Sequence, residues 1–133
     1  AWPARALANF PITGRRPSPV LVRAYVIIKK AAAEVVSDVL LSQGLSTLDV
    51  KHWALHTGGE KIINAVRDEI GIPEELLAAT RKVLSEYGNM SSPTVWFVLD
   101  EIQKNGVASG DWCVMIAYGA GLSAHAYLLR KGP

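Results

Sequence analysis

The stretch Asp49–Gly71, DVKHWALHTGGEKIINAVRDEIG, changes period midway, and that change decides the fold class. Its first part, DVKHWAL (Asp49–Leu55), is short, partly alternating and followed by a polar turn containing Gly58 and Gly59, the pattern of a buried strand. Its second part places Ile62, Ile63, Val66 and Ile70 at helical spacing, with Gly71 as the stop. A strand passing through a glycine turn into an amphipathic helix is the building unit of an α/β sheet.

The same reading extends downstream. Pro73, Glu74 and Glu75 have the composition of a helix first turn, where proline lacks nothing and acids oppose the positive dipole end. Leu76, Leu77, Thr80, Val83 and Leu84 carry that helix to Tyr87. Gly88 and Asn89, the two residue types most tolerant of the left-handed region, close it. Ser92 and Pro93 are an N-cap and first-position pair for a helix running to about Lys104, whose VWFVL segment, apolar nearly all round, predicts burial against a sheet. WCVMIAY and LSAHAYLL then read as two strands joined at Gly119, Ala120 and Gly121 in a tight hairpin.

Upstream, Val26, Ile27, Ile28, Ala31, Val35, Val39 and Leu40 recur at helical spacing between Arg23 and Gln43, and Gly44 follows as a stop. The β-branched run VLVRAYVII leaves a strand open for the front of that segment. Residues 1–20 hold four of the seven prolines and show neither period, so they are expected to form an irregular arm. The expected architecture is an α/β domain over residues 21–133, a sheet flanked by helices, in the order helix, strand, helix, helix, helix, strand, strand.

Composition bounds the rest. With 133 residues, half of them hydrophobic, the chain can bury one real core. The formal net charge of +2 is unevenly spread: residues 1–33 carry six bases and no acid. Such a segment suits phosphate groups or simple solvation, and a nucleic-acid partner is not expected on charge alone. Cys113 is the only cysteine, which excludes an internal disulfide and suits a reducing compartment. No apolar run approaches a bilayer span and no signal-peptide core is present, so a soluble, cytoplasmic protein without a membrane partner is expected. The first residue is Ala1, not Met, which suits a fragment or a processed piece.

Few residues carry chemistry. His52 and His56 stand four apart, the spacing of a helical metal pair, but they fall on a predicted strand without a nearby third ligand, so no metal is expected. His56 emerges at the carboxyl end of the strand, where open α/β sheets place their sites. The glycines of HTGG let a ligand approach the backbone and let amides ahead of a helix face an acyl or phosphate oxygen; an ordinary strand-to-helix turn uses the same residues. Asn89 closes a helix in the plain reading. In the sharper one its amide joins an imidazole NH on one carbonyl oxygen, as stabilisation of an enolate or tetrahedral oxyanion requires. Cys113 lies in an apolar strand and is expected to be inert, and His125 to be structural. No Ser–His–Asp motif, Walker loop or dinucleotide fingerprint is present.

Together HTGG (His56–Gly59), ATRKVLSEYGNMSS (Ala79–Ser92), VWFVLDEI (Val95–Ile102) and GDWCVMIAYGAGL (Gly110–Leu122) resemble, in order and spacing, the carboxyl-terminal part of chalcone synthase and other type III polyketide synthases. The resemblance covers about Val35–Lys131. It implies the carboxyl-terminal half of a thiolase-like fold, acting in decarboxylative Claisen condensation of malonyl-CoA onto a CoA-derived acyl thioester. It further implies an acyltransferase that uses CoA thioesters as substrates and no cofactor, with malonyl-CoA and an acyl-CoA starter as small-molecule partners and a homodimeric assembly. By motif position, His56 and Asn89 correspond to the catalytic histidine and asparagine. Gly58 and Gly59 follow the histidine, Ser91 borders the polyketide cavity, and Tyr118, Gly119, Ala120 and Gly121 form the glycine-rich loop that shapes it.

Two departures bear on loop rigidity: Thr57 and Ala120 stand where the family usually has proline. The nucleophilic cysteine of the family belongs to an amino-terminal half not included in this sequence, so the chain alone is expected to be inactive. Two alternatives stay open: a 3-ketoacyl synthase of fatty acid metabolism, and a catalytically silent α/β fragment or interaction module.

Overall fold

A computed structural model describes residues 19–56, 58–88, 93–119 and 122–133. Helix α1 (Pro19–Leu41) leads into a 3-10 turn (Thr47–Asp49) and strand β1 (Val50–Leu55). Helix α2 (Glu60–Ile70), a 3-10 turn (Glu74–Leu77), α3 (Ala78–Tyr87) and α4 (Thr94–Lys104) follow, before strands β2 (Trp112–Gly119) and β3 (Ser123–Arg130). The sheet order is β1-β2-β3, with β1 parallel and β3 antiparallel to the central β2. A parallel pair needs a long crossover, and here α2, α3 and α4 supply it. The expected element order and α/β class are those observed.

Alternation along the strands distributes the two faces. Trp53 and Leu55 of β1 and Val114 and Ile116 of β2 pack with α1 and α2, whereas Ala54, Cys113 and Met115 pack with α3 and α4. Helices on both faces explain why β1 ends in three consecutive buried residues instead of alternating cleanly. Among the described residues Trp53 is the largest fully buried side chain, and its indole NH has no hydrogen-bond partner among them. Truncating a buried tryptophan to alanine costs about 3–5 kcal/mol, which makes this ring the anchor of β1.

Several expectations need correction. The first helix begins at Pro19, so Pro19 and Val20 belong to it, and no strand occupies its front; the rest of the expected arm lies outside the described residues. The face α1 buries is Ala24, Ile28, Ala32, Val36 and Leu40, every fourth residue, while Val26 and Ile27 are exposed. Small alanines let α1 approach the sheet more closely than its β-branched residues would. The segment opened by Pro73 starts as a 3-10 turn and becomes α-helical only at Ala78. Helix α4 starts at Thr94, and Trp96 and Phe97 are exposed, so only one stripe (Val95, Val98, Ile102) is buried, not the whole circumference. Leu122 takes a positive φ of 61° ahead of β3, so the last strand starts at Ser123.

Polar contacts tie the layers together. Glu74 accepts from Arg67 of α2 at 2.7 Å and from Arg81 of α3 at 2.9 Å, and Arg81 also donates to Asn64 at 2.6 Å. These contacts, Arg81 first and Arg67 second, hold the Glu74 carboxyl below its ordinary pKa. Lys29, one of the six early bases, lies 3.7 Å from Glu69 of α2. No helix among the described residues is long and apolar enough to cross a membrane.

Candidate active site

His56 follows directly on β1 and is only 4% exposed. Its backbone NH donates to the Ile116 carbonyl of β2 at 2.9 Å, and its carbonyl accepts from Gly58 NH at 2.9 Å. Both main-chain groups are therefore engaged, and the chain turns immediately after the strand. The imidazole meets the Tyr118 ring in a T-shaped arrangement, with centroids 5.6 Å apart and planes at 66°. Because β1 and β2 are parallel, Leu55 opposite Ile116 in register, both rings stand at the carboxyl end of the sheet.

The two glycines behave differently. Gly59 caps α2 at φ 120° and ψ 161°, a conformation open essentially to glycine alone, and its carbonyl accepts from Ile63 NH. Gly58 has an ordinary φ, and a Cβ there would sit 3.5 Å from Ile62, an unstrained contact. Only Gly59 is thus demanded by backbone geometry. It places the amino end of α2, the positive end of the helix dipole, shortly after His56.

The end of β1 is fixed from the other face as well. Leu55 NH donates to the fully buried Thr80 hydroxyl of α3 at 3.3 Å. No sequence signal marks Thr80 for this task beyond its place on an apolar helix face. Helix α4 packs Val95 and Val98 with Ala54 and Met115, while Ile102 borders Lys51–Trp53 at the amino end of β1. The helix thus starts near the His56 end and runs back along the sheet toward its amino end. Tyr87, closing α3, meets Phe97 in the first turn of α4 with centroids 5.7 Å apart and planes tilted by 40°. Gly88 ends α3 at φ 67° and ψ −158°, its NH donating to the Leu84 carbonyl; φ is positive, but the residue lies outside the left-handed helical region expected of it. Asn89 and Ser91, between these helix ends, lie outside the described residues, as do Ala120 and Gly121. The structure brings together His56, Gly58, Gly59 and Tyr118, with Gly119 as the last residue of β2, opposite Ser123.

Tyr118 holds a buried hydroxyl without a hydrogen-bond partner among the described residues. Burial pushes its phenol well above the ordinary value, so it stays protonated. The pairing of Tyr118 with His56 escaped the sequence reading, which had assigned Tyr118 only to the cavity loop.

The other histidine of β1 is occupied elsewhere. His52 Nε2 lies 2.9 Å from Asp111 Oδ2, and Asp111 also accepts from Ala108 NH at 3.1 Å. The His52 contact is the larger reason that the Asp111 carboxyl sits below its ordinary pKa. Four residues of extended chain separate two side chains by about 13 Å, too far for both imidazoles to reach one ion. Among the described residues, no three of His, Cys, Asp or Glu gather as metal ligands.

Cys113 pairs in register with His52 and is therefore at the amino end of the sheet, opposite to His56. It borders a cleft of about 140 Å³ with Ile102 and Leu129. Burial raises its thiol pKa to about 11, so almost no thiolate is present at neutral pH. The plain reading of Cys113 as an inert core residue agrees with this environment. His125 is exposed on β3, 3.4 Å from the Ser123 hydroxyl.

Residues 23–133 match the family of chalcone and stilbene synthases, C-terminal domain. Among solved structures, the chain is similar to PKS-I from the brown alga Ectocarpus siliculosus, with a TM-score of 0.72 and 34% identity over 78% of this chain. It is also similar to the 3-oxoacyl-[acyl-carrier-protein] synthase III of Aquifex aeolicus, with a TM-score of 0.71 and 29% identity over 82% of this chain. It spans 29% of the first protein and 35% of the second. Its architecture is part of the carboxyl-terminal half of their thiolase-like fold. By its sequence match over all but the first residues and by its fold, the chain belongs to the chalcone and stilbene synthase family, as a C-terminal domain.

Proposed function

We propose that this chain supplies the oxyanion-stabilising part of a type III polyketide synthase, a condensing acyltransferase that joins malonyl-CoA to an acyl thioester. The observation that carries the reading is the buried His56, set at the carboxyl end of β1 directly before Gly58, Gly59 and the amino end of α2. In the reaction the bond between the malonyl methylene and its carboxylate breaks and carbon dioxide leaves. The electron pair then spreads onto the thioester oxygen as an enolate. His56 and Asn89 donate hydrogen bonds to that oxygen. The enolate carbon next attacks an acyl group held on a cysteine, and the cysteine thiolate departs.

That nucleophile belongs to a companion amino-terminal half, since the raised pKa and location of Cys113 suit no such role. The isolated chain is therefore expected to turn over nothing. Ser91 and the segment Tyr118–Gly121 would border the growing product, the CoA thioesters being substrates with no further cofactor. A homodimer is the proposed assembly.

The test joins this domain to the cysteine-bearing half and measures carbon dioxide release from malonyl-CoA. His56→Ala and Asn89→Ala should each lower the rate by roughly 100- to 1,000-fold, the usual loss for a preorganised oxyanion donor. Unchanged release in both variants would overturn the reading. A second reading, a 3-ketoacyl synthase, draws on the nearly equal TM-score of the Aquifex protein. A preference for long acyl primers over short malonyl-derived products would favour it.

A further inference from the structure

We propose that Tyr118 is a positioning residue that sets the orientation of the His56 imidazole, an inference that rests on the condensing role proposed above for His56. Strand β2 governs His56 twice. At the main chain, Ile116 accepts the His56 NH, and the Gly58 NH takes up the His56 carbonyl, so the backbone of His56 has no free polar group with which to shift. At the side chain, Tyr118 stands two residues beyond Ile116 on the same strand, and alternation puts both on one face. Its ring meets the imidazole at 5.6 Å and 66°, inside the range in which aromatic pairs attract through edge and face.

What the main chain leaves open is rotation of the imidazole about its side-chain bonds, and this contact restricts it. With His56 4% exposed, water scarcely competes for the ring. A hydrogen-bond donor aimed at a developing oxyanion loses much of its value when turned away. Tyr118 thus influences the chemistry through His56 and need not touch substrate, a duty distinct from lining a product cavity.

The test uses the 133-residue chain labelled with carbon-13 and nitrogen-15 in histidine, the imidazole signals of His52, His56 and His125 being followed through a pH titration. Tyr118→Phe, which keeps the ring, should leave the His56 shifts and titration midpoint as they are. Tyr118→Leu, which removes it, should shift the His56 imidazole resonances through loss of the neighbouring ring, with those of His52 and His125 unmoved as internal controls. An unchanged His56 in Tyr118→Leu, or an equal movement in Tyr118→Phe, overturns the proposal. Should Tyr118→Leu fail to fold, the wild-type chain still decides. Nuclear Overhauser contacts between the Tyr118 ring protons and the imidazole protons support the proposal, and their absence overturns it. In the complete synthase, Tyr118→Leu should lower kcat roughly 10- to 100-fold with little change in KM, and Tyr118→Phe should restore it. The spectroscopic arm does not depend on turnover: a synthase indifferent to His56→Ala would overturn the condensing role of His56 and leave the ring contact standing.

Discussion

The two histidines of β1 are the same residue type on the same strand, yet they occupy opposite ends of the sheet and have different environments. His52, at the amino end, is partly exposed and spends Nε2 on Asp111, tying β1 to the residue that precedes β2. His56, at the carboxyl end, is buried against an aromatic ring and leads into a glycine turn and a helix amino terminus. In open α/β sheets ligands bind outside the carboxyl ends of the strands, where the crossovers begin. The contrast teaches that position along the strand, more than residue identity, separates a catalytic candidate from a structural tie.

The largest expected effect would break this contrast outright. In the complete synthase, His56→Ala should reduce kcat by roughly 100- to 1,000-fold, while His52→Ala should leave kcat unchanged and lower only the unfolding midpoint. Steady-state kinetics beside denaturation curves check both arms, and equal kinetic losses would erase the distinction.

A smaller effect tests the turn after His56. Gly59→Ala forces an alanine into a φ of 120° and should cost about 1–3 kcal/mol of stability. Gly58→Ala, with room for its Cβ, should cost clearly less. Urea unfolding of the two variants compares them.

Thr80→Val removes the buried acceptor of Leu55 NH and should destabilise by about 1–2 kcal/mol. Thr80→Ser keeps the hydroxyl and should cost less. Slower losses of amide protection at Leu55 in the serine variant than in the valine variant would place the effect at the His56 end of β1.

Tyr118→Phe deletes a buried hydroxyl that has no partner among the described residues. Stability should hold or rise by up to about 1 kcal/mol. A loss would reveal a partner for that hydroxyl.

The smallest effect belongs to the amino end and depends on pH. The folded state lowers the Asp111 pKa, chiefly through His52. Its contribution to stability is therefore complete above the ordinary carboxyl pKa of about 4 and is lost as pH falls through the lowered folded value. Asp111→Asn should flatten the acid side of the stability profile and leave the profile around His56 chemistry untouched.

Much of the fold was legible because its signals are local. The change of period at Leu55–Ile62, the stops at Gly71 and Gly88 and the apolar runs of β2 and β3 each lie within one window of chain. The errors fell where two local signals competed. For α1, the apolar circumference is wider than the face that packs, so Val26 and Ile27 looked as suitable for burial as Ala24 and Ala32. For α4, a nearly all-apolar run suggested complete burial, whereas the sheet covers one stripe and leaves Trp96 and Phe97 exposed. In the site, HTGG was readable because its members are consecutive. Thr80, Asp111 and the ring contact of Tyr118 were not, because none acts on a neighbour in sequence.

The amino-acid order by itself determined the α/β alternation, the glycine turn after His56 and the presence of only one cysteine, since dihedral preference and hydrophobic period operate over a few residues. Only the tertiary structure decided which face of α1 is buried, that His52 pairs with Asp111 across 59 positions, and that Leu55 bonds Thr80 across 25. It also brought the Tyr118 ring against the His56 imidazole. Such contacts are selected when distant elements pack and exclude water, and no local preference of either partner encodes them.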